Sequence, residues 1–512
     1  MNIYEILLTN SPALIVAIPL LGAFLTPLIS RINGKLRNLF AISVLGLTGF
    51  FIFWLAANIF IGKETFSYVF GGVETSTVIR IIFEVDALSI FMAIIAIILA
   101  FVGTVYSWAF MKDNTGLDKY YTLILLMTTG MLGMVLTGDM FNFFVFLEIT
   151  SISSCALIAF RTNQGFAIDA GFKYIVISAI GALFVLFAIA LLYSQYNALN
   201  MAVLANAIKY DFVDKIALVL LVGALAMKAG IVPMHMWLPD AYGRAPAPIS
   251  LILVGVTQAS LYGVLRVVFT VYGGISEILK VNAYLSLGTI VVILAIATML
   301  VGVIMALKQF DFKRMIAYAA VAEIGFMILA IGTGLYLVGV GSLGADMAFK
   351  GGVFHIINDA LDIGLLFLVA GSVYYATKET SLDKMGGLAR NMKYTTIFFI
   401  IGLLAVAGMP PMNGFASKLI IYESIYQASP LLSIVAILSS IMLLAVFVKV
   451  FHSAFLGPAI PKFKNVKEAP KSMLLAMLLI ACLIIFFGLF PDFIINNIVE
   501  PATNVLTGGV LS

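Results

Sequence analysis

Apolar runs of about 20 residues recur from one end of this chain to the other, and each is long enough to cross the hydrocarbon core of a bilayer as a helix. We count about fourteen, centred near residues 20, 50, 95, 128, 150, 183, 222, 258, 295, 325, 362, 405, 442 and 482. Lipid offers no hydrogen bonds to a free backbone, so runs of this length predict helices and an all-α polytopic membrane protein. Composition agrees: 62% of the residues are hydrophobic, 11% are charged and the mean hydropathy is +1.13, a balance no soluble domain of this size carries on its surface. No long polar stretch separates the runs, so no soluble domain is expected.

Lys and Arg gather at Arg31/Lys35/Arg37, Lys112/Lys119, Arg161, Arg244, Lys308/Lys313/Arg314, Lys378/Lys384/Arg390/Lys393 and Lys462/Lys464/Lys467/Lys471, in loops that follow odd-numbered runs. The positive-inside rule makes these loops cytoplasmic and places both termini outside. Lys209, Lys215 and Lys280 are the weaker exceptions. Met1 leads into the first apolar run without a small-residue cleavage pattern, so no removed signal peptide is expected. The net charge of +4 reflects the loop bias and gives no reason to expect nucleic acid. Cys155 and Cys482 each stand alone in an apolar run, too isolated for a disulfide framework, a metal site or an iron–sulfur cluster. No phosphate-binding loop occurs either. The chain is therefore expected to carry no cofactor, and any work against a gradient must draw on another gradient or another subunit.

Two apolar runs are broken in the same way. Ala229-Gly230-Ile231-Val232-Pro233-Met234 returns in outline as Ala407-Gly408-Met409-Pro410-Pro411-Met412, with Lys228 before the first break and Lys418 after the second. Paired Gly/Pro-broken helices in corresponding places are the sequence pointer to inverted-repeat transporters, whose sites lie where backbone groups are freed at the midplane.

Ionisable groups inside the runs are costly, by roughly 2.5 to 3.5 kcal/mol on insertion scales, and are read as functional by default. Glu148 sits near the middle of its run, with Lys228 as the expected counter-charge. Together they hold each other ionised; apart, burial pushes each toward its neutral form, so the pair is expected to act as a switchable proton site. His355, Asp359 and Asp362 are spaced i, i+4 and i+7, one face of one helix. Glu323 adds a carboxylate one helix earlier, and Lys418 and Glu423 close the series. Leu419 to Tyr422 are apolar and continue the span, so Lys418 is expected to be buried and to touch polar residues of the preceding helix, Asp359 or Asp362 among them.

Several stretches resemble the signature blocks of the antiporter-like subunits, the family of the proton-pumping membrane subunits of respiratory complex I, the large subunits of Mrp-type sodium/proton antiporters and their relatives in membrane-bound hydrogenases. They are VDALSIF (Val85 to Phe91), GDMFNFFVFLE, MKAGIVPMHMWLPDAYGRAPAPIS, ALKQFDFKRMIAYAAVAEIG (Ala306 to Gly325) and GMPPMNGFASK (Gly408 to Lys418). The likeness runs from about residue 80 to 455. It implies fourteen transmembrane helices, two inverted five-helix repeats, and breaks in helices 7 and 12 at Pro233 and at Pro410 and Pro411. It also implies a division into an N-terminal three-helix segment (1–115), a first repeat (116–275), a second repeat (276–456) and a C-terminal loop with helix 14 (457–512). Glu148 and Lys228 match the family's Glu–Lys pair, His355 its central histidine and Lys418 its exit-side lysine. The resemblance is to the shorter members, without the C-terminal lateral helix of the largest complex I form. Expected partners are other integral membrane subunits with a peripheral redox module or Mrp-type subunits, and the expected cargo is protons, with sodium as the alternative.

Two relay positions depart from the family pattern. Gln258 stands where the eighth helix usually carries a lysine, and His355-Ile-Ile-Asn358-Asp359-Ala360-Leu361-Asp362-Ile363 replaces H-x-x-N-H-A-L-F-K. Two cationic positions are lost and acids gained. Either protons pass on water held by Gln258 and the acids, or Glu323, Asp359 and Asp362 favour sodium, or the subunit is a coupling scaffold that does not transport.

Overall fold

A computed structural model of the chain describes residues 3–62, 64–70, 81–272, 287–340, 342 and 344–507. The apolar runs are helices: α1 (Ile3–Ile32), α2 (Gly34–Gly62), α3 (Ala87–Phe110), α4 (Leu117–Leu136), α5 (Met140–Ile158) and α6 (Gly165–Tyr196). After the short α7 (Met201–Ala207) come α8 (Phe212–Ala229) and α9 (Leu238–Arg244), then α10 (Ala247–Leu265), prolonged by a wide turn over Arg266–Val271. The second half holds α11 (Leu287–Lys308), α12 (Phe312–Gly339), α13 (Ala345–Thr377), α14 (Lys393–Val406), α15 (Asn413–Ala428), α16 (Pro430–Val450) and α17 (Lys471–Leu489). Twelve helices among the described residues are long and apolar enough to cross a membrane. The runs expected near residues 222 and 405 are the interrupted ones, α8 with α9 and α14 with α15. The expected division at residues 275/276, Lys280 and both chain ends lie outside the described residues.

Burial sorts the helices into a centre and a rim. The most apolar window of α13 is 100% buried and that of α12 is 94% buried, against 33% for α1 and 39% for α6, α11 and α17. Rim helices turn Phe24, Leu28, Phe172 and Leu183 outward, as lipid contact requires. Small residues let the central helices approach closely. A Cβ on Gly302 of α11 would stand 2.4 Å from the Ala322 nitrogen of α12, and one on Gly325 of α12 would stand 2.5 Å from the Met299 nitrogen. This backbone contact fixes the rotation of α12 and hence the direction of Glu323.

The basic loops converge on one face. There the Arg161 guanidinium lies 5.2 Å from the Phe110 ring and 5.7 Å from that of Tyr374, and the Lys112 ammonium lies 5.9 Å from Tyr375. Arg244 and Arg314 meet Asp311 and Asp240 at 3.8 and 3.3 Å. The opposite end carries a feature the apolar pattern did not announce, an antiparallel hairpin of β1 (Phe66–Val69) and β2 (Ile82–Val85) with Phe66 opposite Val85. Beside it Asp86 caps α3, accepting the Ser89 N–H at 2.8 Å, and meets Arg266 at 2.5 Å. Arg266 Nε donates to the Tyr262 hydroxyl at 2.8 Å, which donates to the Val135 carbonyl at 2.8 Å, tying α3, α4 and α10 together.

Candidate ion pathway

Both breaks end a helix by the same local geometry. Gly230 (φ 82°) and Gly408 (φ 68°) occupy the left-handed region that glycine enters without strain. The next residue then bonds back across the last turn, Ile231 N–H to the Ala226 carbonyl at 3.0 Å and Met409 N–H to the Leu404 carbonyl at 2.9 Å. A helix end leaves carbonyls to be satisfied, and the two halves differ in how they do it. The Trp237 indole N–H donates to the Met227 carbonyl at 3.0 Å. The Lys418 ammonium donates to the Val406 carbonyl at 2.7 Å, placing a cation at the negative end of α14.

Glu323 is the hub of the second half. Its Oε1 accepts from Lys418 Nζ at 2.8 Å and its Oε2 lies 2.8 Å from His355 Nε2. The other imidazole nitrogen, Nδ1, is 3.0 Å from Ser417 Oγ. Lys418 also sits 4.5 Å above the Phe326 ring, a further cation contact in a dry site. Lys418, His355 and Glu323 are 1%, 1% and 2% exposed, so none reaches a membrane surface.

One helix turn along α13 the polar set continues. Gln258 of α10 donates to Asp359 Oδ2 at 3.0 Å and to the Ile356 carbonyl at 2.9 Å. Asn358 and Asn413 exchange hydrogen bonds, each at 3.1 Å. The amide oxygens of Gln258 and Asn413 and the Oδ1 atoms of Asp359 and Asp362 are buried without a hydrogen-bond partner among the described residues. Such atoms call for water, an ion or a proton.

In the first half Lys228, buried in the last turn of α8, donates to Ser151 Oγ at 2.6 Å. Thr150, Ser178, Tyr174 and Ser260 line a small cavity around it. The expected Glu148–Lys228 ion pair is not closed: no ion pair joins them, and Glu148 Oε1 is buried without a partner. Glu148 is half-buried and near enough for its charge to act on the ammonium, and Ser151 of the same helix takes the Lys228 hydrogen bond instead. Val256 and Ser260 of α10 border the Lys228 cavity, while Gln258, between them in sequence, turns to α13. α10 therefore stands between the two polar sets.

The structure brings His355, Glu323 and Lys418 into direct contact and Gln258 onto Asp359. It corrects two further expectations. Lys418 is bonded to Glu323 rather than to Asp359 or Asp362, because it leaves the first turns of α15 toward α12 and the α14 end. Glu423 faces outward and joins neither set. His355, Asp359 and Asp362 do share one stripe, but α13 is wrapped on all sides, so the stripe addresses different neighbours. Asp362 lies against Gly414, where an added Cβ would be 3.2 Å from its Oδ2. Ser151, Ser417 and the Val406 carbonyl were not singled out in the sequence, since serines and backbone carbonyls carry no signal of their own in an apolar run.

A bundle of this kind, with its apolar rim, buried charges and two broken helices, defines a multi-pass integral membrane protein, and comparison with known proteins places it. Residues 137–443 match the family model described as NADH:quinone oxidoreductase/Mrp antiporter, transmembrane, and residues 74–121 match NADH-ubiquinone oxidoreductase (complex I), chain 5 N-terminus. The chain belongs to this family, as an antiporter-like, multi-pass integral membrane subunit of the complex I, Mrp and hydrogenase type. It is 31% identical to NADH-quinone oxidoreductase subunit N of Desulforudis audaxviator over 96% of this chain and 98% of that one. It is 29% identical to a Na(+)/H(+) antiporter subunit of Alkalihalophilus pseudofirmus, over 81% and 82% of the two chains. Hydrogenase-4 component B of Escherichia coli is 28% identical over 82% of this chain, which spans 64% of that longer protein. A chain of the membrane-bound sulfane sulfur reductase, an archaeal respiratory membrane complex, superposes with a TM-score of 0.84 at 28% identity, covering 98% of this chain and 99% of that one. A chain of the Mrp complex from Dietzia sp. DQ12-45-1b shares the fold, with a TM-score of 0.86 at 22% identity over 98% of each chain.

Proposed function

We propose that this chain moves protons across the membrane as one subunit of a larger redox-linked or Mrp-type complex. The observation that carries the reading is Glu323, a buried carboxylate with an ammonium and an imidazole each 2.8 Å away. A proton shared among three such groups is displaced by any change in the charge of one of them. Glu148 and Lys228 form the matching element of the first half, Gln258, Asp359 and Asp362 the bridge, and water completes the path. In this reading the chain has fourteen spans, counting each interrupted helix once, with repeats over 116–275 and 276–456 between the segments 1–115 and 457–512. The basic face is cytoplasmic and both termini are outside. Neighbouring membrane subunits supply the conformational drive, since the expected work requires an energy source this chain is not expected to hold.

A sodium-carrying version is favoured by one observation, the unpartnered oxygens of Gln258, Asp359, Asp362 and Asn413, because hard cations prefer oxygen ligands. Transport by the assembled complex in sealed vesicles, followed with a pH dye across a series of sodium concentrations, tests both. Protons moved equally well without sodium support the proton reading. Strict dependence on sodium transfers the role to the oxygen set, and loss of neither ion's transport in Glu323→Gln would reduce the subunit to a coupling scaffold.

A further inference from the structure

On the face where the basic loops converge lies a cleft of about 100 Å³, away from the polar sets of the membrane interior. Its walls come from the α3 end at Phe110, the α5–α6 turn at Arg161, the α9–α10 turn at Arg244 and Ala245, the α12 start at Lys313 and the loop after α13 at Glu379. Three cations thus face one carboxylate, and that carboxylate is engaged: Glu379 Oε1 accepts the N–H groups of Thr380 and Ser381 at 3.1 and 3.3 Å.

The cations are short of acceptors. Lys313 is 9% exposed, and among the described residues its ammonium donates only to the Ala245 carbonyl, which uses one of three donors. Arg161 lies against the Phe110 and Tyr374 rings and meets no oxygen acceptor among the described residues, its polar contact being the Met111 sulfur at 4.0 Å. Arg244 reaches Asp311 only at 3.8 Å and leans on the Phe166 ring at 5.2 Å. Three cations held together by the fold, with donors left over, require an anion that offers several acceptor oxygens at once.

We propose that this cleft binds a phosphate group, carried by an anionic lipid or free as inorganic phosphate. The guanidinium fork matches tetrahedral oxygens, and the Lys313 ammonium supplies a point charge at the closed end. Basic pockets between membrane helices hold lipid headgroups by this chemistry, and the exposed Phe166 beside Arg244 gives an acyl chain an apolar edge to follow. Occupancy would neutralise the junction of α5, α10, α12 and α13, helices that carry the polar sets, and so stiffen it.

The test uses the assembled complex in dodecyl maltoside, stripped of lipid, with its thermal unfolding midpoint followed as phosphatidylglycerol or inorganic phosphate is added. A rise with phosphatidylglycerol alone assigns the lipid, and a rise with inorganic phosphate assigns the free ion. Arg161→Gln and Arg244→Gln are each expected to raise the half-saturating concentration about tenfold, with Arg161→Lys between them and the wild type. Should Arg161→Gln fail to assemble, Arg244→Gln on the part-exposed rim carries the same test. A wild-type complex that answers neither addition, variants that answer like the wild type, or a carbodiimide cross-link from Lys313 to a carboxylate of another subunit would each overturn the proposal.

Discussion

Lys418 and Glu323 are joined at 2.8 Å with both side chains buried, whereas Lys228 and Glu148, the Lys–Glu set beside the other break, act on each other by charge without closing an ion pair. The same two residue types therefore stand in one molecule in a closed and an open arrangement. A buried pair loses its charge-holding partner when it opens, so the two arrangements differ in how tightly each group holds a proton. Alternation between them is the simplest cycle the geometry offers.

Breaking the closed pair has a cost in stability as well as in transport. Glu323→Gln leaves the Lys418 ammonium buried with the Val406 carbonyl as its main partner, and losing one member of a buried pair costs about 3–5 kcal/mol. Thermal unfolding of the complex should fall accordingly and proton transport should be abolished. A variant with wild-type stability would show that Lys418 is neutral in the resting protein.

The open pair should behave differently. Lys228 is held by one hydrogen bond to Ser151, so Lys228→Ala removes about 1–3 kcal/mol at most. We expect Lys228→Ala and Glu148→Gln complexes to assemble normally and to lose most of their transport in sealed vesicles. Near-normal pumping by either variant would remove the first half from the path.

Gln258 bonds a side chain and a backbone carbonyl of α13 at once. Gln258→Leu leaves Asp359 Oδ2 buried without its donor, at about 1–3 kcal/mol, and should lower both stability and transport. Gln258→Lys should keep the contact to Asp359 and sustain proton transport while repelling sodium. If transport is sodium-dependent in the wild type and unaffected by Gln258→Lys, the bridge is not where ions pass.

At the hairpin end, burial alone would raise the Asp86 carboxyl, but the Arg266 guanidinium and the Ser89 hydrogen bonds outweigh it and hold its pKa below the ordinary value of 3.8. A depressed carboxylate contributes stability that is present above its unfolded pKa of about 3.9 and lost as pH falls through the folded value. The wild-type unfolding midpoint should therefore drop on acidification below about pH 4. Asp86→Asn should start lower at neutral pH, with Arg266 left unpaired, and lose less in acid. Equal acid slopes for the two proteins would contradict the assignment.

Much of this was legible in the chain because a charge in an apolar run is too costly to be incidental. Glu148, Lys228, Glu323, His355, Asp359, Asp362 and Lys418 all announced themselves in that way, and the two breaks were marked by glycine and proline. Partner choice was not legible. Whether Lys418 turns to Glu323 or to Asp359 depends on the rotation of α12, which is set by Gly302 and Gly325 against backbone rather than by any polar residue. The Asp86–Arg266 link joins residues 180 apart, and nothing local in either stretch names the other. The hairpin strands of four residues each were too short to stand out between two long apolar runs.

The position of α10 has a consequence for leakage. In the proton-carrying role proposed above, a continuous file of carriers from Glu148 to Lys418 would act as a short circuit and dissipate any gradient across the membrane. With Lys228 and Ser260 on one side of the helix and Gln258 with Asp359 on the other, the resting molecule is instead an insulator between two charged plates. Conduction then requires a rearrangement at one helix, and a glycine or alanine that thinned this wall at Val256 or Ser260 would be expected to turn a gated subunit into a passive hole.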